Sequence, residues 1–252
     1  MVIGMIGAGN MARALARGWQ EPLLISDAGS GRAASLAAEH GGKAFSDNAE
    51  LAASADVVVL CHKPGQLQAV ASEIAPHARA VISVLAVTPL SALRAALPRS
   101  EVVRAMPNTA VEVRQGVTCV AADVGVQGSL ATLAPQLFER LGGVVVLPEH
   151  LLDVATGLSG VAPAYMALVA EAQIDAAIRH GLPGAQACEI TLGALAGSAA
   201  MLQARGGDTL AVRREVASPG GLTARGLDAL ERAGLRAAFA DAMTAVLEGA
   251  HA

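Results

Sequence analysis

The stretch Gly7-Ala8-Gly9-Asn10-Met11-Ala12 spaces two glycines and a small residue as G-x-G-x-x-A. The apolar run VIGMIG (2–7) precedes it, and a helix-forming run from Asn10 to Gln20 follows. Strand, glycine turn and helix in that order make an anion cradle. The first glycine permits the tight turn, the second lets a pyrophosphate approach the backbone, and the small third residue lets the helix pack close to the sheet. Free N–H groups and the helix dipole favour the negative charge. The implied chemistry is dinucleotide binding, with Gly7, Gly9, Asn10, Met11 and Ala12 as its contacts. A glycine-rich turn without a ligand is the plainer alternative, and the strand–motif–helix order argues against it.

Three further segments carry reactive or polar groups at strand ends. LLISD (23–27) ends in Ser26 and Asp27 and continues to Arg32. Asp27 fits a ribose 2′-hydroxyl and hence NADH; Ser26, Ser30 and Arg32 fit a 2′-phosphate and hence NADPH. Both readings stay open, and Arg32 reads equally well as a solvated first-turn residue. LCHKPGQL (60–67) places Lys63 and Pro64 after a strand, where Lys63 can meet a cofactor or an anionic substrate, while His62 reads as a surface residue. RAMPNTA (104–110) offers Asn108 to a nicotinamide carboxamide or a ribose, or as a turn cap. SPGGLT (218–223) interrupts alanine-rich helix formers. On its own it fits an ordinary helix–helix turn with Thr223 as N-cap.

The elements that would position these groups fall into two kinds. Up to about residue 148, short β-branched runs alternate with helical patterns: 2–7, 23–27, 56–60, 80–86, 101–106, 116–122 and 142–147 read as strands. Several are apolar without alternation, as in a sheet covered on both faces. The fold class is therefore α/β, a doubly wound parallel sheet of Rossmann type over 1–148, followed by an all-α domain over 149–252. In the second part helices are expected over 151–180, 186–205, 209–217, 223–232 and 235–247. The first two are apolar on more than one face, which requires burial on more than one face. A segment of this size cannot supply that burial alone, so packing against a second copy is expected.

Composition narrows the partners. The net charge is −4, no basic run occurs and the five aromatic residues are scattered, which leaves no electrostatic footprint for nucleic acid. Hydrophobic residues reach 53% and charged residues only 16%, so the chain either spans a membrane or buries extra surface against another subunit. The longest uncharged run, Val154 to Ala170, contains Gly157, Gly160 and Pro163 and is shorter than the roughly 20 apolar residues of a spanning helix. A membrane span is therefore not expected, nor is a signal peptide. Cys61, Cys119 and Cys188 are far apart, which fits a reduced, cytoplasmic protein. No histidine pair has metal-ligand spacing, and no metal is expected.

Taken together, IGAGNMA (6–12), KP (63–64), VVRAMPNTA (102–110), GVAPAY (160–165), AAIRHGLP (176–183) and SPGGLT (218–223) resemble the pyrroline-5-carboxylate reductase family in order and spacing over essentially the whole chain. The resemblance implies a dinucleotide domain, an all-helical domain forming an interlocked dimer or a larger oligomer of dimers, and reduction of 1-pyrroline-5-carboxylate to L-proline by NADPH or NADH. It adds Asn48 to the cofactor contacts, with Ser26, Asp27, Lys63, Pro64 and Asn108. It makes Ser218, Gly220, Gly221, Leu222 and Thr223 the site for the imino-acid carboxylate, with the Thr223 hydroxyl at the imine nitrogen as the catalytic group. Backbone N–H groups of Gly221, Leu222 and Thr223 at a helix start would hold the carboxylate. Against the family's usual runs, Val161 and Ala162 replace small or polar residues, and Ala217 and Leu222 replace hydroxyls. A reductase of another small cyclic imine or keto acid, or a cofactor-binding regulator without turnover, are the alternatives on this scaffold.

Overall fold

A computed structural model describes residues 1–122 and 129–251. Two compact units emerge, one built on Met1–Pro163 and the other on Ala164–Glu248.

The first unit is an eight-stranded sheet: β1 (Ile3–Ile6), β2 (Leu24–Ser26), β3 (Lys43–Phe45), β4 (Val57–Leu60), β5 (Ala80–Ser83), β6 (Glu101–Pro107), β7 (Gly116–Ala122) and β8 (Gly142–Pro148). The order is β3-β2-β1-β4-β5-β6-β7-β8. β1 and β4 are buried along their whole length, as their unbroken apolar sequence requires. The helices between the strands are α1 (Asn10–Trp19), α2 (Arg32–Glu39), α3 (Asn48–Ser54), α4 (Leu67–Ile74), α5 (Leu90–Ala96) and α6 (Ser129–Glu139). They cover the sheet with two apolar clusters, one around Met5, Leu15, Ile25 and Phe138, the other around Leu51, Leu60, Ile74 and Leu93. Trp19 closes the first cluster, its Nε1–H donating to Leu137 O (3.1 Å).

Two features of the sheet differ from the expected pattern. β3 has only three residues, too few to show a periodicity. β7 runs antiparallel to β6, although β8 is again parallel to β7. The β6–β7 connection, Asn108–Gln115, is too short for a parallel crossover, which needs about a dozen residues or more.

The segment expected as one helix over 151–180 is two: α7 (Leu152–Ser159) and α8 (Ala162–Arg179). Pro163 explains the break. It has no N–H to donate to Ser159 O, and its ring would clash with that carbonyl in a continuous helix. Ser159 O instead accepts a hydrogen bond from Asn108 Nδ2 (3.1 Å).

The second unit continues α8 and adds α9 (Gly184–Ala204), α10 (Thr209–Val216), α11 (Leu222–Arg232) and α12 (Leu235–His251). Asp208 caps α10, accepting from Ala211 N. Leu168, Ile190 and Leu192 are more than half exposed in the single chain. The helical stretch Glu149–Arg179 and α9 are long and apolar enough to cross a membrane by length and composition alone.

Candidate active site

The glycine motif forms the tight turn between β1 and α1 that its spacing predicts. Gly7 sits at φ +106°, and a Cβ there would stand 2.6 Å from the Cys61 carbonyl. Only glycine fits. Its N–H donates to Ser26 O (2.8 Å), tying the turn to β2. Gly9 is the N-cap of α1, in extended conformation, and a Cβ built on it meets nothing within 4 Å. Helical bonding begins with Arg13 N donating to Gly9 O (3.0 Å), so the N–H groups of Asn10, Met11 and Ala12 have no carbonyl within the helix. Ala12 is fully buried against the sheet, and the Asn10 side chain accepts from Arg13 Nη2 (2.9 Å). An open approach to Gly9, with three N–H groups at a helix start, fits a pyrophosphate.

At the end of β2, Ser26 is buried and its hydroxyl donates to Asn48 Oδ1 (2.6 Å). Asn48 Nδ2 in turn donates to Glu73 Oε2 (2.6 Å). Asp27 folds back on its own loop. Its Oδ1 accepts from Gly29 N (3.0 Å), and its Oδ2 accepts from Ser30 Oγ (2.5 Å) and Ala33 N (3.0 Å). Burial opposes ionisation of Asp27, but the Ser30 hydroxyl and the Ala33 and Gly29 amides together outweigh it and hold the carboxyl below its usual range. Arg32 Nε donates to Ser30 Oγ (2.9 Å). One short loop thus carries a satisfied carboxylate and an exposed guanidinium.

Beyond β4, Lys63 and Pro64 are exposed, and Pro64 opens a short 3-10 turn, Pro64–Gln66. Gln66 Oε1 accepts from Lys63 N (3.2 Å). His62 Nδ1 lies 2.8 Å from Lys63 O, which makes that nitrogen the donor. Burial lowers the His62 pKa, so the ring is neutral at pH 7.

Beyond β6, Asn108 is buried with both ends of its amide engaged. Nδ2 donates to Ser159 O, and Oδ1 accepts from Val117 N (3.1 Å). It therefore joins β6, β7 and α7. Four residues earlier, Arg104 is 3% exposed in the middle of β6. It donates from Nη2 to Asp153 Oδ1 (2.8 Å) and from Nη1 to Glu149 Oε1 (3.5 Å). Reading the sequence for reactive groups missed this cluster. Its signal was present as a single arginine inside the apolar run VVRAM, which a buried strand tolerates only if paired.

In the helical unit, SPGGLT closes as a turn before α11. Gly220 takes φ +70°, and Gly221 N donates to Ser218 O (3.0 Å). Gly221 is the N-cap, so Thr223 is the second helical residue and not the cap. The Gly221 N–H, expected to be free, is used inside the turn. A Cβ on Gly221 would stand 2.5 Å from Ser218 Oγ. Helical bonding starts with Arg225 N to Gly221 O, so the N–H groups of Leu222 and Thr223 have no carbonyl within α11. Ser218 and Thr223 are exposed, and Leu222 is 87% exposed.

Over 259 aligned residues, covering 100% of the chain and 98% of the relative, the sequence is 38% identical to the pyrroline-5-carboxylate reductase of Thermus thermophilus. The chain belongs to the pyrroline-5-carboxylate reductase family. The model for pyrroline-5-carboxylate reductase dimerisation matches residues 149–252, and that for NADP oxidoreductase, coenzyme F420-dependent, matches residues 2–87. Among solved structures, the pyrroline carboxylate reductase of Plasmodium falciparum with NADP bound is 26% identical, with TM-score 0.87 over 99% of this chain and 97% of that one. The pyrroline-5-carboxylate reductase of Coxiella burnetii is 31% identical, with TM-score 0.87 over the same shares. The family is one of NAD(P)H oxidoreductases with a Rossmann-type sheet and a helical dimerisation domain. The dimerisation match begins at Glu149, one of the two carboxylates that meet Arg104.

Proposed function

We propose that this chain reduces 1-pyrroline-5-carboxylate to L-proline with NADPH, as a homodimer or an assembly of dimers in the cytoplasm. The observation that carries the reading is the whole-length family match, and the open helix starts at Gly9 and Gly221 support it. When bound, NAD(P)H supplies a hydride to the imine carbon. The chain's part is to bind, orient and place a proton. Gly7, Gly9 and the amides of Asn10, Met11 and Ala12 hold the pyrophosphate, with Lys63 and Pro64 bordering the cofactor. Ser218, Gly220 and Gly221 shape the turn, while the Leu222 and Thr223 amides hold the substrate carboxylate. The Thr223 hydroxyl hydrogen-bonds the imine nitrogen, which must carry a proton for its carbon to accept a hydride and which becomes the secondary amine. Positioning supplies most of the rate, so no strong base is required.

The loop after β2 favours NADPH in this reading. Asp27 spends its lone pairs on its own loop, so it is poorly placed to accept from a ribose 2′-hydroxyl, whereas Arg32 and Ser30 present donors to a 2′-phosphate. The functional division is placed at 148/149, which the start of the dimerisation match supports, although the compact units divide after Pro163. The apolar faces of α8 and α9 meet a second copy and not lipid, for the same reason.

Initial rates of NADPH and NADH oxidation with pyrroline-5-carboxylate test this directly. Saturable oxidation with a higher kcat/KM for NADPH is expected, and Arg32→Ala should cut the NADPH-to-NADH preference by roughly tenfold. Thr223→Ala should lower kcat by about 100-fold, with Thr223→Ser recovering most of it. No oxidation by a chain that binds NADPH would reject the substrate and direct attention to Val161, Ala162 and Leu222.

A further inference from the structure

We propose that Arg104 is a positioning residue for the dinucleotide: through Glu149 it fixes the segment Leu85–Leu90, which presents Val87 to the nicotinamide half of the cofactor. The inference rests on reading the carboxyl edge of the sheet as the NAD(P)H site.

Val87 has a strained backbone. It is a β-branched residue at φ +53°, in the left-handed region, and its side chain is 51% exposed. Such a residue is a genuine outlier and persists only where its surroundings over-determine it. Those surroundings are visible. Leu85 is buried, and its N–H donates to Ser83 Oγ (3.3 Å). Thr88 is buried, and its hydroxyl donates to Ala86 O (3.0 Å). Leu90, the first residue of α5, donates its N–H to Glu149 Oε1 (2.5 Å).

Glu149 is half-exposed and sits in a different part of the chain, so something must hold it there. The same Oε1 faces Arg104 Nη1, while Arg104 Nη2 is fixed on Asp153. Arg104 is buried, and its Nε has no hydrogen-bond partner among the described residues. A buried cation with an unsatisfied donor is costly, and an apolar residue of similar volume would often be no less stable there. Stability alone therefore does not account for it; the fixing of a strained loop does.

The loop stands where a cofactor ring would lie. Val84 N donates to Leu60 O (3.2 Å), and Ser83 pairs with Leu60 in the β4–β5 register. Residues 84–88 therefore lie beside the Cys61–Pro64 segment at the carboxyl edge of the sheet. In a doubly wound sheet of this order the strands β4–β6 serve the second mononucleotide, the nicotinamide half. An apolar side chain held exposed there fits the flat face of a nicotinamide or its ribose.

The test is calorimetric titration of NADPH into the full-length dimer, with steady-state kinetics alongside, for Glu149→Ala, Arg104→Met and Val87→Gly. Glu149→Ala and Arg104→Met should raise the NADPH Kd and KM roughly fivefold or more, with little change in kcat at saturating NADPH or in the imino-acid KM. Val87→Gly, free of strain, should raise Tm and still weaken NADPH about threefold. Should Arg104→Met fail to fold, the other two variants decide. A lowered Tm with unchanged NADPH affinity in Glu149→Ala, together with unchanged affinity in Val87→Gly, overturns the proposal and leaves Arg104 a purely structural ion pair. A wild-type chain that binds NADPH without reducing pyrroline-5-carboxylate rejects the proposed reaction alone, because the affinities still decide this point. A wild-type chain that binds no dinucleotide rejects both.

Discussion

The sheet unit and the helical unit solve burial in opposite ways. In the first, Met5, Leu15, Leu23, Ile25, Leu51, Ile82 and Phe138 are fully enclosed by the chain itself. In the second, among the described residues, only Ala170, Ala187 and Thr191 are buried, while Leu168 is 64% and Ile190 59% exposed. A helix that is apolar around most of its circumference needs neighbours around most of its circumference. Residues 164–248 do not supply them, and so many exposed large apolar side chains on two helices mark an interface. The sheet unit encloses its own core; the helical unit leaves its apolar faces for another copy, as its match to a dimerisation family indicates.

That contrast is most exposed to disproof at the apolar helices. Leu168→Glu and Ile190→Glu each place a carboxylate where the partner should pack. Burying an unpaired charge costs several kcal/mol, which weakens dimerisation by roughly 100-fold or more. Sedimentation should show monomers at micromolar concentration, with turnover lost. The fluorescence of Trp19, the sole tryptophan and buried in the sheet unit, should stay native. A dimer surviving both substitutions would put the interface elsewhere.

Within the sheet unit, the two glycines of the cradle should separate folding from binding. Gly7→Ala forces a Cβ to 2.6 Å from the Cys61 carbonyl at φ +106° and should destabilise the unit by about 3 kcal/mol. Gly9 has an ordinary φ of −81° and open space ahead of it. Gly9→Val, a poorer N-cap, should cost only about 1 kcal/mol of stability, yet raise the NADPH Kd at least about tenfold. Equal losses of stability in the two variants would mean that the space before Gly9 is not a ligand's.

The same contrast explains what could be read from sequence. β1, α1 and the glycines between them were legible because a local pattern, period and turn chemistry fix them. The helices apolar on every side also announced a partner. β3 was not legible, since three residues show no period, and the antiparallel β7 depends on the length of a loop more than on its own residues. Pro163 did mark the α7–α8 break, but in so apolar a run it reads as tolerated. Arg104, Glu149 and Asp153 are 45 or more residues apart across the ion pairs, a contact no local pattern encodes. The turn at 218–223 was legible only through family resemblance; its geometry adds that Gly221 N–H is already bonded to Ser218 O.

The smallest effect concerns Asp27, and it asks whether the sheet unit's acid stability is set locally. Its folded pKa lies below the ordinary carboxylate value near 3.8, because the Ser30, Ala33 and Gly29 donors outweigh burial. A carboxyl depressed on folding contributes stability above its unfolded pKa and loses it as pH falls through the folded value. Asp27→Asn keeps an acceptor but not the charge. It should therefore be less stable than wild type by a constant small margin above about pH 4, and the margin should shrink below that pH. Urea midpoints followed by Trp19 report the sheet unit, while Tyr165, the sole tyrosine, packed 6.4 Å from Phe239 between ring centroids, reports the helical one. A margin that appears in the Trp19 signal and not in the Tyr165 signal means that the units unfold separately. A margin of equal size in both means that dimerisation has made them one cooperative structure, and that the division between a closed fold and an open one ends when the second copy arrives.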